Sequence, residues 1–405
     1  MRRQRGLVGL MGLAALVGLG YQTKPAAAAV TTEQSASILV FPKVVADGTR
    51  DTIIQITNTS NSIRQAHCFY VNGALANPLL PPGQFNQPQC IETDFDILLT
   101  RQQPTHWVVS QGRLFNSEQT CRTAICDPAT TGTDAADCCD AGLDPLRVPP
   151  VVPDFVGELK CIEVDESGAP EGGNALKGEA TIVDPTNDND VAKYNAIGIK
   201  GFDNNDRNTT LCLGGGVSDA CPMGPEYEAC PAGWLLDHPL TGSIDPVVEQ
   251  QSFCTSPPCS SISTNLTVVP CAEELETQAP PPVTLQFLVT NEFEQTLSAS
   301  TSFACFASFN LGSTVTSTTH PADDRPISSI FNAATIGGNI ALTRMRANSA
   351  LPPFQQVGVL AVIEETHADT NGNVASAAQN GHTSFDDQPS GDVIVFPADQ
   401  GQQVQ

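Results

Sequence analysis

The run Val156-Gly157-Glu158-Leu159-Lys160-Cys161-Ile162-Glu163 returns 201 residues later as Val357-Gly358-Val359-Leu360-Ala361-Val362-Ile363-Glu364, identical at Val, Gly, Leu, Ile and Glu. A Gly-Asn pair follows both runs, at Gly173-Asn174 and Gly372-Asn373. Upstream, Ile54-Gln55-Ile56-Thr57-Asn58 leads to Cys68-Phe69, as Phe287-Leu288-Val289-Thr290-Asn291 leads to Cys305-Phe306. Leu39-Val40-Phe41-Pro42 precedes the first series and Thr267-Val268-Val269-Pro270 the second. Weak matches in one order imply an internal duplication, and hence two units of one architecture.

Each unit is punctuated by Gly, Pro, Asn and Asp between short β-branched and aromatic runs, the pattern of antiparallel strands. The first is expected to place strands near 37–45, 51–58, 64–71, 94–100, 105–112, 156–165 and 174–184, with Ile54 and Ile56 on one face. The second is expected to place them near 263–270, 283–291, 299–309, 327–331, 339–347, 355–366 and 374–380, closed by Val393 to Phe396. About seven strands per unit is the pattern of an immunoglobulin-like sandwich. The expected fold class is therefore all-β, with two duplicated immunoglobulin-like antiparallel β-sandwich domains and Cys-rich, disulfide-stapled insertions.

Residues 1–29 read as a signal peptide. Arg2, Arg3 and Arg5 precede the apolar stretch Leu7 to Leu19, and Ala26 to Ala29 offer small residues for cleavage. The apolar stretch is shorter than the roughly 20 residues a spanning helix needs, so no membrane span is expected in the mature chain. The expected address is secreted, periplasmic or cell surface. Cleavage after Ala29 would leave 15 Lys and Arg against 44 Asp and Glu. A net charge that negative lacks the clustered cations phosphate binding requires and excludes a generic nucleic-acid binder.

All 14 Cys lie beyond residue 29, where export favours disulfides over zinc. The first domain, 30–190, holds seven, including a Cys-rich insertion at 119–153. A Cys-rich connecting segment, 191–261, holds five, and the second domain, 262–405, holds two. Cys271 is expected to join Cys305. Odd counts in the first domain and the connecting segment then demand a bridge between them. Cys121 and Cys126, like Cys254 and Cys259, are spaced to close small loops.

Asp184, Asp188 and Asp190, and again Asp203 and Asp206, stand among Asn residues and supply the hard oxygen donors that calcium prefers. Neither cluster keeps a twelve-residue calcium loop, and Asx-rich turns form without metal. The densest titratable mixture is Glu364-Glu365-Thr366-His367-Ala368-Asp369, with His382 and Asp386-Asp387 further on. No nucleophile elbow, His-Glu-x-x-His helix or phosphate loop is present. Asn58-Thr59-Ser60, Asn208-Thr209-Thr210 and Asn265-Leu266-Thr267 fit the glycosylation pattern.

The stretch Ser37 to Gly73, with its Leu-Val-Phe-Pro, Ile-Gln-Ile-Thr-Asn-Thr-Ser and His-Cys-Phe-Tyr-Val-Asn runs, resembles the opening strands of uncharacterised exported bacterial proteins built from immunoglobulin-like β-sandwich units. The resemblance implies the fold and brings no catalytic residues. The expectation is a non-enzymatic extracellular or cell-envelope protein with a binding or structural surface role and an unknown partner. The alternative is a secreted metal-dependent hydrolase with a site on the connecting segment or near His367.

Overall fold

The computed structural model describes residues 30–77, 87–113, 148–186, 190–313, 325–383 and 391–397. The chain is all-β, and antiparallel ladders dominate. The first sandwich is built from β1 (Ile38–Ala46), β2 (Asp51–Asn58), β3 (Arg64–Asn72), β4 (Ile91–Leu99), β5 (Pro104–Val108), β6 (Phe155–Val164), β7 (Leu176–Val183), β8 (Val191–Asn195) and β9 (Ile197–Ile199). Pairing runs β4-β3-β6-β1-β9 on one side and β5-β2-β7-β8 on the other, and β1 meets β2 only at their hairpin, Ala46 opposite Asp51. Alternation in β2 buries Thr52, Ile54, Ile56 and Asn58 on one face, as the sequence led us to expect. The two sides meet through their aromatic residues: Trp107 Nε1 of β5 donates to Tyr70 Oη of β3 at 2.6 Å, and Phe95 packs edge-on against Trp107.

In β1 and β6 both faces are buried. Strands covered on both faces lose the polar/apolar alternation of a one-sided sheet, and here the second cover comes from the rest of the chain. Part of it is a small sheet of β10 (Thr210–Leu213), β13 (Glu273–Glu274) and β22 (Asp392–Val395), in the order β10-β22-β13. The rest is the second sandwich. Its two sheets are β15-β14-β18-β11-β21 and β17-β16-β12-β19-β20. They comprise β11 (Gly233–Pro239), β12 (Ser260–Pro270), β14 (Val283–Asn291), β15 (Thr296–Phe303), β16 (Ala307–Leu311), β17 (Arg325–Pro326), β18 (Ile340–Ser349), β19 (Val359–Asp369), β20 (Val374–Asn380) and β21 (His382–Thr383).

The segment 191–261 does more than connect. Its beginning supplies β8 and β9 to the first sandwich, and Gly233 to Pro239 forms β11, a central strand of the second. The repeated runs lie in paired strands in both units, β1 with β6 and β12 with β19. The two Cys-Phe pairs do not occupy equivalent places: β3 lies beside β6, whereas β16 lies beside β12.

The expected Cys271–Cys305 bridge is not formed. Cys271 bonds to Cys230 and Cys305 to Cys90, with Cys68–Cys161, Cys212–Cys221 and Cys254–Cys259 completing the pairs among the described residues. The correction has a physical cause. Cys271 follows β12 and its amide donates to the Gly358 carbonyl, while Cys305 turns at φ 45° ahead of β16 beside the first sandwich. There Phe306 packs so closely on Gly73 that a Cβ at residue 73 would lie 2.2 Å from the ring. Odd parity did demand a bridge leaving the first domain; Cys90 supplies it, to the second sandwich instead of the connecting segment. Cys121, Cys126, Cys138 and Cys139 lie outside the described residues.

Candidate functional site at the interface between the sandwiches

Strand β19 presents two faces with different neighbours. Side chains two residues apart share a face, so Glu364 and Thr366 look toward the first sandwich, while Ile363, Glu365 and His367 look the other way. Opposite Glu364, Pro42 interrupts β1 and the register slips between Phe41 and Val44. Proline brings no ladder donor, and a bulge re-aims the next side chain. The slip turns Lys43 across the interface onto the Glu364 carboxylate and, at 3.2 Å, onto Asn265 Oδ1. The buried backbone at the slip is not left unsatisfied: Lys43 N donates to Tyr194 Oη at 3.1 Å, and the Tyr194 hydroxyl donates back to the Lys43 carbonyl. Burial pushes the Tyr194 phenol far above its ordinary range.

A cavity of 250 Å³ opens beside this pair, lined by Arg50, Asp184, Asp190, Asn265 and Asn310 as well as Lys43 and Glu364. Two of the five carboxylates singled out for calcium therefore reach one place. Asp184 Oδ1 is engaged by the Thr186 amide and hydroxyl, and Arg50 is engaged by Asp47 at 2.9 Å. Asp203 lines a separate cavity of 270 Å³ with Arg64, Glu171 and Arg207, and Asp206 closes an Asx turn onto Asn208. The two Asp clusters are thus not one site, and Asp188 lies outside the described residues.

On the opposite face of β19, His367 Nδ1 is 2.8 Å from Asp245 Oδ2 and Nε2 is 3.8 Å from Glu365 Oε2. Burial pushes the Asp245 carboxyl up, but the His367 ring and the amides of Val247 and Val248 outweigh it and hold it low. Burial pushes Glu365 up, with His367 opposing. His382 lines a 320 Å³ cavity with Asp237, His238 and Glu365. His238 is a core residue: its Nδ1 donates to the Pro239 carbonyl at 2.8 Å, its Nε2 accepts from Thr343 at 2.9 Å, and burial pushes its pKa down. Asp386 and Asp387 lie outside the described residues.

Two groups of potential metal ligands come within 4.8 Å of one another among the described residues: Cys230, Cys271 and Asp392, and Glu249, Cys254 and Cys259. Both enclose disulfides, whose sulfurs are not thiolate ligands. Of the three glycosylation patterns, Asn58 is fully buried and its amide donates to the carbonyls of Ser62, Leu99 and Thr100. Asn265 serves the Lys43 pair, and only Asn208 of the three is exposed.

A second buried ion pair escaped the sequence reading. Lys160 of β6, 1% exposed, meets Glu273 of β13, and its Nζ lies 3.9 Å from Glu158 Oε1 on the same strand. Charges alternating inside an otherwise apolar strand, Glu158-Leu159-Lys160-Cys161-Ile162, were the available signal. Solvated strand faces carry the same pattern, so its meaning depended on what covers β6.

No family model and no curated protein matches the chain. Among solved structures, the chain is similar to the Cowpea mosaic virus top component, naturally occurring empty particles, at 9% identity and TM-score 0.18, covering 93% of this chain and 99% of that one. Broad Bean Stain Virus is matched at 10% identity and TM-score 0.16, covering 95% of this chain and 100% of the other. Scores this low carry no functional argument. Among the described residues, no helix is long and apolar enough to cross a membrane.

Proposed function

We propose that the protein is an exported, non-enzymatic component of the extracellular surface or cell envelope, a rigid binding or structural element made by duplicating an immunoglobulin-like sandwich. One observation carries this reading: the two sandwiches are locked into a single body by Cys90–Cys305 and by two lysines, Lys43 and Lys160, buried between them and the segments that cover them. Disulfides persist in oxidising compartments, and rigidity fixed in advance lowers the entropy lost on engaging a partner. Lys43 and Glu364, buried at this interface, are engaged with each other. The N-terminal segment and the Cys content agree with export.

The hydrolase reading draws on one specific observation, the Asp245–His367 pair beside Glu365. A single experiment separates the two: intact native mass spectrometry of the non-reduced mature protein, with and without chelator. The proposed reading expects an N-terminus at Val30, fourteen hydrogens missing relative to the reduced chain and no stoichiometric metal. Bound zinc accompanied by hydrolytic turnover that His367→Ala abolishes would overturn it. A chelator-sensitive calcium would assign Asp184 and Asp190 a ligand role. Free thiols would remove the covalent lock.

A further inference from the structure

The outer face of β3, β4 and β6 carries ionisable groups, of which Glu158, Lys160 and His67 are buried under the docked small sheet while Asp94 and Asp96 stay about half exposed. Glu158 and Lys160 of β6 are both buried, and neither Glu158 oxygen has a hydrogen-bond partner. From the opposing β13 come Glu273, which pairs with Lys160, and Glu274, whose Oε1 is also buried without a hydrogen bond. From β4 comes Glu92, within electrostatic reach of Lys160, Glu158 and Glu274. Beyond β1 the Lys43–Glu364 pair and Tyr194 bound the same region, and Tyr194 feels both Glu158 and Glu364. At the far end of the face, His67 of β3 sits between Asp94 and Asp96 of β4 and packs against Phe396, just past β22. Among the described residues, Lys160 thus stands as the one ammonium among Glu92, Glu158, Glu273 and Glu274, and burial pushes its own pKa down while Glu158 and Glu92 oppose.

We propose that Glu158 operates a pH latch: in its neutral acid form it lets the β10-β22-β13 sheet dock on β3, β4 and β6, and its loss of a proton to solvent loosens that sheet. One ammonium cannot compensate Glu158 and Glu273 together in a space closed to water. Burial raises Glu158 from 4.5 to about 7, with Lys160 opposing, and raises Glu92 to about 8. A buried carboxyl that prefers its neutral form favours docking most at acid pH. That preference fades as pH rises from the ordinary carboxylate value to the buried one. His67 is kept protonated until about pH 9, because Asp94 and Asp96 outweigh the effect of its burial, so the window from pH 6 to 8 isolates the carboxyls from it. The Cys90–Cys305 and Cys230–Cys271 bonds remain intact, which confines the change to the small sheet and its contacts. The latch is independent of the proposed surface role.

Hydrogen exchange by mass spectrometry on the full mature chain, disulfides intact, tests it. After correction for the intrinsic pH dependence of exchange, residues 272–276 and 392–396 should open about tenfold more between pH 6 and pH 8, while β14 and β18 stay unchanged. Glu158→Gln, isosteric and always neutral, should abolish most of that rise, and Glu92→Gln should reduce it. A wild-type chain whose small sheet exchanges alike at pH 6 and pH 8 would overturn the latch, as would a folded Glu158→Gln variant that keeps the full response. Should Glu158→Gln not fold, the contrast in the wild type between the small sheet and β14 with β18 still decides.

Discussion

Replacing Glu364 by Gln removes the charge that faces Lys43 while keeping the shape of the side chain. Lys43 is 1% exposed, and Asn265 Oδ1, which its Nζ also meets at 3.2 Å, is neutral. Removing the carboxylate of a buried pair takes away charge that compensates the buried ammonium, at a cost of about 3–5 kcal/mol. Lys43→Met, which removes the opposite charge of the same pair, should also destabilise. The double variant, Lys43→Met with Glu364→Gln, removes both charges and should recover at least about 2 kcal/mol of the summed losses. Urea unfolding with disulfides intact reads this directly, since the two tryptophans, Trp107 in β5 and Trp234 in β11, report one sandwich each. Both should lose stability together if the pair spans the interface. Single variants that each cost under about 1 kcal/mol, or losses that simply add, would refute the reasoning.

Further outcomes are expected. Non-reduced peptide mapping should recover Cys90 linked to Cys305 and Cys230 linked to Cys271; a Cys271–Cys305 peptide would mean that Cys90–Cys305 does not cross-link the two sandwiches. Gly157→Ala should destabilise by about 2–4 kcal/mol or prevent folding, because its Cβ would fall 2.0 Å from the Val71 carbonyl oxygen on the neighbouring strand, which cannot swing aside; thermal melts check it. His67→Gln should remove stability that is fully present below the ordinary histidine value and fades as pH climbs through about 9, so wild type and variant melting curves should converge at high pH. Expressed in a glycosylating host, the chain should carry glycan at Asn208 and none at Asn58, as glycopeptide mass spectrometry would reveal.

Strands were legible wherever local alternation and local turns agree. The expected 51–58, 283–291 and 374–380 coincide with β2, β14 and β20. The expected strand at 327–331 is instead a 3₁₀ turn, Ser329–Phe331, capped by the Ser328 hydroxyl, which accepts from the Ile330 amide, a capping preference that overrides the β-branched content. One expected strand at 299–309 is two, β15 and β16, because the chain turns at Cys305 to reach Cys90. β11 went unseen because Gly233 to Pro239 sits in Pro- and Cys-rich surroundings, and its strand character is conferred by β18 alongside it. The interface was hidden for the same reason. Nothing near Lys43 in sequence reveals that Glu364, 321 residues away, will meet it; only the odd cysteine count hinted that the first domain had a distant partner.

The Cys90–Cys305 bond also bears on what a protease does to this chain. A cut at any single position between residues 90 and 305, including the turn Val248–Gln250, severs the polypeptide without parting the sandwiches, since both fragments remain joined through sulfur. Such nicking leaves the assembled body whole, and reducing agent is needed before the damage shows as two bands.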